Sequence, residues 1–186
     1  MIGQLEIDEL WSLAISPSDF YNIERIRSDK PASGGGHTYI QVPVGLVNPV
    51  LTFLRESYPP KGVPLILNVN NRAQPDLPGE PLEFWAKSAG RMRIARQNRH
   101  LHHRLRAWSP ELGFPALAAN QDTDDARNLL DSIGGLHIYL ARAADGTVWA
   151  GYTVGRPTKE EAKLPFANIM WGDTKGGYWR YEEPKK

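Results

Sequence analysis

The stretch Gly135 to Gly155, GLHIYLARAADGTVWAGYTVG, decides the fold class. Two alternating runs, His137 to Arg142 and Thr147 to Val154, flank the turn formers Ala144-Asp145-Gly146, which is the pattern of a β-hairpin. Working outward, Ala167 to Trp171 and Gly177 to Tyr181 supply two more short strands on the C-terminal side. Upstream, His37 to Val42 (HTYIQV) is β-branched and aromatic and stops at Pro43, and PLILNVNN from Pro64 reads the same way. Phe20 to Arg27 alternates and predicts another strand. Outside the basic window between Phe84 and Pro110, helical spacing marks three places. Leu5, Ile7, Leu10, Trp11 and Leu13 predict an opening helix over Leu5 to Ala14, and Leu46, Val50 and Leu54 predict a second from Gly45, with Pro49 early enough to be tolerated. The third, Asp122 to Ile133, starts with acids and stops at Gly134-Gly135. Ser28 to Gly36 and Asn71 to Pro81 are turn-rich loops. Seven or more short strands with a few short helices predict a mainly-β (α+β) barrel or sandwich.

The 186 residues suit one domain over 1–186, with EEPKK (182–186) as a tail or linker. The absence of Cys excludes a disulfide framework, a thiolate zinc site and a cysteine nucleophile. MIGQLEIDEL lacks the layout of a signal peptide, and no apolar run approaches the roughly 18 residues that span a bilayer. The expectation is a cytoplasmic protein without a membrane partner.

The net charge of +1 conceals an asymmetry. Lys87, Arg91, Arg93, Arg96, Arg99, Arg104 and Arg106 fall between Phe84 and Pro110 with His100, His102 and His103 and without one acid, leaving 15 basic residues against all 21 acids elsewhere. A solvated salt-bridged helix would need interleaved Asp or Glu, so this window points instead to a polyanion. Arg91-Met92-Arg93-Ile94 and Arg104-Leu105-Arg106-Ala107-Trp108 each alternate, so each predicts a strand with both arginines on one face. A helix is the other reading, since Ile94, Leu101, Leu105 and Trp108 share helical spacing. Between the two runs, ARQNRHLHH holds residue types that read base edges: Arg for guanine, Gln97 and Asn98 for adenine. A second segment, Arg25 to His37, sets Arg25, Arg27 and Lys30 beside Ser28, Ser33 and three glycines, where small residues allow close approach to a phosphate or base edge.

Other chemistry is thinly represented. The His cluster sits among arginines, an unfavourable field for a metal, and HEXXH is missing. Asp122, Asp124 and Asp125 read as helix capping rather than a magnesium site. Pro75-Asp76 and Asp173-Thr174-Lys175 match the two halves of a PD…(D/E)xK nuclease centre but lie nearly a hundred residues apart. The GxSxG elbow, the P-loop and the Rossmann fingerprint are absent.

Trp11, then FYNIERIRSDKPASGGGHTYIQVPVGLV, then Arg104-Leu105-Arg106-Ala107-Trp108 resemble, in order and spacing, the N-terminal DNA-binding (effector) domain of EcoRII-type and UbaLAI-like restriction endonucleases. That family has an aromatic strand, an Arg, a Ser-Asn/Asp turn, a GG loop, a strand ending I-P-x-G-hydrophobic, and an Arg-hydrophobic-x-x-Trp after a basic arm. The resemblance spans roughly Trp11 to Trp108. The chain departs from it in a longer basic arm, Pro31, a third Gly and a dissimilar C-terminal third.

The resemblance implies an open pseudobarrel like that of plant B-three transcription factors, with two projecting arms that grip the major groove of double-stranded DNA. The N-arm would be Arg25, Arg27, Ser28, Asp29, Lys30, Ser33 and His37, with Asp29 suited to accept from cytosine N4. The C-arm would be Lys87, Arg91, Arg93, Arg96, Gln97, Asn98, Arg99, His102, Arg104 and Arg106. The implied role is the non-catalytic recognition module of a prokaryotic type II (type IIE-like) enzyme reading CCWGG, or GCSGC in a related branch. The module would be monomeric and cofactor-free, with Mg2+ needed only by a fused catalytic domain. The competing expectations are a complete metal-dependent nuclease and a non-specific single-strand binder.

Overall fold

The computed structural model describes residues 7–21, 39–71, 75–95, 117–118, 120–154, 166–170 and 176–181. They form nine strands: β1 (Ile7–Ala14), β2 (Tyr39–Val42), β3 (Leu65–Asn71), β4 (Glu80–Lys87), β5 (Arg91–Ala95), β6 (Leu136–Ala143), β7 (Val148–Val154), β8 (Phe166–Met170) and β9 (Gly176–Tyr181). Two helices accompany them, α1 (Val44–Leu54) and α2 (Thr123–Ser132). The strands make one open sheet in the order β2-β5-β4-β3-β7-β6-β1-β9-β8. All neighbours are antiparallel except β3 and β7, whose short parallel contact pairs Asn70 with Trp149 and Asn71 with Ala150. That junction joins a four-stranded half to the larger one.

The sheet curls into a half-barrel. Four strand spacings separate β4 from β1, about 19 Å if the sheet were flat. Yet the Phe84 and Trp11 rings meet edge-on with centroids 6.5 Å apart. Helix α1 packs against β1 and β9 on one side and β5 on the other, inside the curl. Its buried face, Leu46, Val47, Val50 and Phe53, joins Trp11, Leu13, Ile40, Phe84, Ile94, Ile138 and Leu140 in the main core. Across β1, β6 and β9 a second cluster, Leu10, Tyr139, Ala141 and Trp179, is buried as well.

The hairpin read from Gly135 to Gly155 is β6–β7, with Leu140 opposite Ala150. Asp145 braces its turn, accepting from the Thr147 amide at 2.9 Å and its hydroxyl at 2.6 Å. The strands expected near His37, Pro64, Arg91, Ala167 and Gly177 and the helices expected from Gly45 and Asp122 are present.

Three readings need correction. The helix expected over Leu5 to Ala14 is strand β1 where described. β1 lies between β6 and β9 and is buried on both faces, with Leu10, Trp11, Ser12 and Leu13 all at most 5% exposed. A strand buried on both faces loses its alternation and imitates helical spacing. The strand expected from Phe20 begins instead inside a helical turn, residues 17–21, and its remainder lies outside the described residues. Ser16 caps that turn: its Oγ accepts from the Asp19 amide at 3.1 Å and donates to Asp19 Oδ2 at 2.8 Å, with Pro17 at the first helical position. Strand β4 had no counterpart in the sequence reading. Pro81 argues against a strand and Phe84-Trp85 breaks the alternation, but the β5 ladder starts only at Glu83, so Pro81 pairs with β3 alone.

Candidate nucleic-acid interface

Strands β2, β5 and β4 are antiparallel neighbours, and pleating sorts their side chains. Ile40, Val42, Met92, Ile94, Leu82 and Phe84 enter the core. The opposite face carries Tyr39 and Gln41 from β2, Arg91 and Arg93 from β5, and Glu83, Trp85 and Lys87 from β4. In register, Gln41 stands opposite Arg93 and Arg93 opposite Trp85, while Lys87 stands opposite Arg91. Gln41 and Arg91 are exposed; Tyr39, Trp85, Lys87 and Arg93 are half-buried.

Tyr39 is the hub of this face. The Lys87 Nζ lies 5.1 Å and the Arg93 guanidinium carbon 5.3 Å from its ring centre, within cation–π range. Lys87 Nζ also donates weakly to Tyr39 Oη at 3.4 Å and to Gln41 Oε1 at 3.3 Å. The one carboxylate on the face among the described residues, Glu83, is buried and accepts from Trp85 Nε1 at 2.9 Å. Among the described residues, Lys87, Arg91 and Arg93 form no ion pair, and Arg93 Nε is buried without an acceptor.

The β4–β5 turn is braced from outside. Tyr58 Oη lies 2.8 Å from the Lys87 carbonyl oxygen and 2.7 Å from that of Arg91, one proton shared between two acceptors. Ala89 takes a left-handed conformation in this turn (φ 61°), followed by Gly90 (φ 69°). A non-glycine residue there costs about 1 kcal/mol, so the brace holds a mildly strained tip that sets Lys87 beside Arg91.

Of the residues singled out in the sequence, the structure brings together Lys87, Arg91 and Arg93. Arg96, Gln97, Asn98, Arg99, His102, Arg104 and Arg106 lie outside the described residues, as do Arg25, Arg27, Ser28, Asp29, Lys30, Ser33 and His37. What is described is where both segments begin. Tyr39, the first residue of β2, pairs with Ala95, the last of β5. The chain entering β2 and the chain leaving β5 therefore attach side by side, about 5 Å apart.

Tyr39, Gln41, Tyr58 and Trp85 belong to this region and were not singled out. The two-residue spacing in HTYIQV puts Tyr39 and Gln41 on one strand face, but it does not disclose which cations that face lies beside.

The acidic cluster takes a structural role. Asp122 Oδ1 accepts from the Asp124 and Asp125 amides at 2.9 and 3.1 Å, and Asp125 returns a bond to the Asp122 amide, a capping box as expected. Asp76 lies in an exposed turn, and Asp173-Thr174-Lys175 lies outside the described residues. Among the described residues no group of three His, Cys, Asp or Glu is placed to hold a metal ion, and no helix is long and apolar enough to cross a membrane. Compared with models of known protein families and with curated proteins, the chain matches none.

Proposed function

We propose that this chain binds double-stranded DNA through the β2–β5–β4 face and the two segments rooted beside it, as the recognition module of a restriction endonuclease of the EcoRII and UbaLAI-like type. In this reading the curled sheet is a pseudobarrel of the plant B-three kind. The observation that carries it is the Tyr39–Ala95 pair. It roots a Gly- and Ser-rich segment with Arg25, Arg27 and Lys30 next to a segment with Arg96, Arg99, Arg104 and Arg106. Two arms gripping one groove need such a common root. The cations beside the root, which form no ion pair among the described residues, add a sequence-independent attraction to phosphate, and the two segments carry the residue types that read bases.

The test is a gel-shift competition near physiological salt, without divalent metal, between CCWGG duplex, GCSGC duplex, scrambled duplex and single strand. One duplex should win by about a thousandfold. Equal, salt-sensitive binding to all four would reduce the basic surface to a general polyanion binder. Preference for single strands would replace the duplex reading with a stacking one.

A further inference from the structure

We propose that Tyr39 is a positioning residue that gathers Lys87 and Arg93 into a paired-cation seat for the phosphate backbone of bound duplex. The strand face then grips all sequences alike and leaves base reading to the neighbouring segments. This rests on the duplex-binding reading above, and the closing experiment separates the two.

Lysine and arginine side chains are long and lose much rotational freedom when a ligand fixes them. Here the loss is already taken in the free protein. One ring lies within 5.3 Å of both cations, so they stand at most about twice that distance apart. Gln41 Oε1, two residues along β2, also accepts from Lys87 Nζ at 3.3 Å.

Both cations lie against one ring, and no carboxylate among the described residues pairs with either. Arg93 Nε is spent in a buried position without an acceptor. An anion seated here would be attracted by both cations, and a phosphodiester supplies a delocalised charge and several acceptor oxygens.

The seat suits phosphate better than a base edge. Base reading in the major groove requires reach into a channel about 8.5 Å deep. Lys87 and Arg93 are drawn back onto the sheet by Tyr39, and an ammonium is a point charge that matches phosphate without reporting sequence.

The experiment measures duplex affinity across a salt series for the wild-type chain, Tyr39→Leu, Tyr39→Phe and the Lys87→Gln/Arg93→Gln double variant, on the preferred and the scrambled duplex. Each lost phosphate contact lowers the slope of log affinity against log salt by about 0.9. Tyr39→Leu and the double variant should each lower it by one to two units on both duplexes and keep the ratio between duplexes within about twofold. Tyr39→Phe keeps the ring and loses the hydroxyl with its contact to Lys87, so its slope should fall less than that of Tyr39→Leu. An unchanged slope in the double variant, or a tenfold change in the ratio between duplexes, overturns the proposal. So does Tyr39→Phe behaving like Tyr39→Leu.

A second measurement does not depend on duplex. Inorganic tripolyphosphate is titrated while the Lys87 and Arg93 side-chain NMR signals are followed in wild type, Tyr39→Phe and Tyr39→Leu. Saturable shifts in wild type that weaken in Tyr39→Leu support the seat, even if duplex binding fails and the duplex reading falls with it. No response at either side chain sinks the seat.

Discussion

A Cβ added at Gly176 would collide with the Ser12 carbonyl oxygen and lie 2.8 Å from Leu46 Cδ1, because β9 runs in register with β1 there and α1 packs on both. A backbone oxygen in a central ladder has nowhere to move, so Gly176→Ala should cost about 3 kcal/mol. Gly146, in the β6–β7 turn at φ 86°, has open space around it, and Gly146→Ala should cost only the about 1 kcal/mol of left-handed backbone. Urea denaturation of both variants checks the difference, and equal losses would contradict the close approach of β9 to β1. The same scale separates what was legible in the candidate site from what was not. Lys87, Arg91 and Arg93 could be picked out because charge is written in composition. Tyr39 could not, since its importance comes from pairing with a strand more than fifty residues away. A lone tyrosine in HTYIQV looks like any strand residue.

Helix α1 shows how an element is held by charge as well as by packing. Its last turn ends at Arg55 in the left-handed conformation (φ 58°), with the Glu56 amide bonded back to the Leu51 carbonyl at 3.1 Å. Arg55 then reaches Glu9 Oε1 at 3.3 Å. Arg142 Nε donates to Glu9 Oε2 at 3.2 Å, and its Nη2 caps the helix at the Phe53 carbonyl at 2.7 Å. Glu9 is buried, so Arg142→Met would leave a carboxylate in the interior with the Tyr178 hydroxyl and the solvent-exposed Arg55 as its described partners. We expect a loss of about 3–5 kcal/mol, largely recovered when Glu9→Gln is added, and a double-mutant cycle by chemical denaturation measures the coupling. Tyr178 belongs to the same cluster: burial first, then the Glu9 charge and hydrogen bond, push its phenol above the ordinary tyrosine range. The native state therefore keeps a proton that the unfolded chain loses above about pH 10. The stability tied to that proton is full below this pH and is lost as pH rises further. Tyr178→Phe should flatten the alkaline fall in melting temperature, and an unaltered slope would remove Tyr178 from the account. Elements differed in how far the sequence disclosed them. The β6–β7 hairpin was readable because strand, turn and strand are contiguous, whereas β1 was obscured by neighbours contributed from residues 136–143 and 176–181.

At the scale of the whole molecule, the curl decides where everything else stands. The parallel contact between β3 and β7 is two residue pairs long, supplemented by the Asn70 side chain donating to the Val148 carbonyl at 3.3 Å. The halves are also bound together through the interior, by the Trp11–Phe84 edge contact and by α1, which touches β5 as well as β1 and β9. The root at Tyr39 and Ala95 lies on the half farther from β1, so its orientation depends on that shared core. Trp11 is fully buried, and Trp11→Ala should cost about 4 kcal/mol. If the core is common to both halves, that cost falls equally on each. Native-state hydrogen exchange should then show the β4–β5 and β1–β6 amides losing protection together in Trp11→Ala, with a single thermal transition in both proteins. Persistent protection of β4–β5 while β1–β6 opens would mean that the cationic face folds independently. It would also mean that the curl is not what holds that face in place.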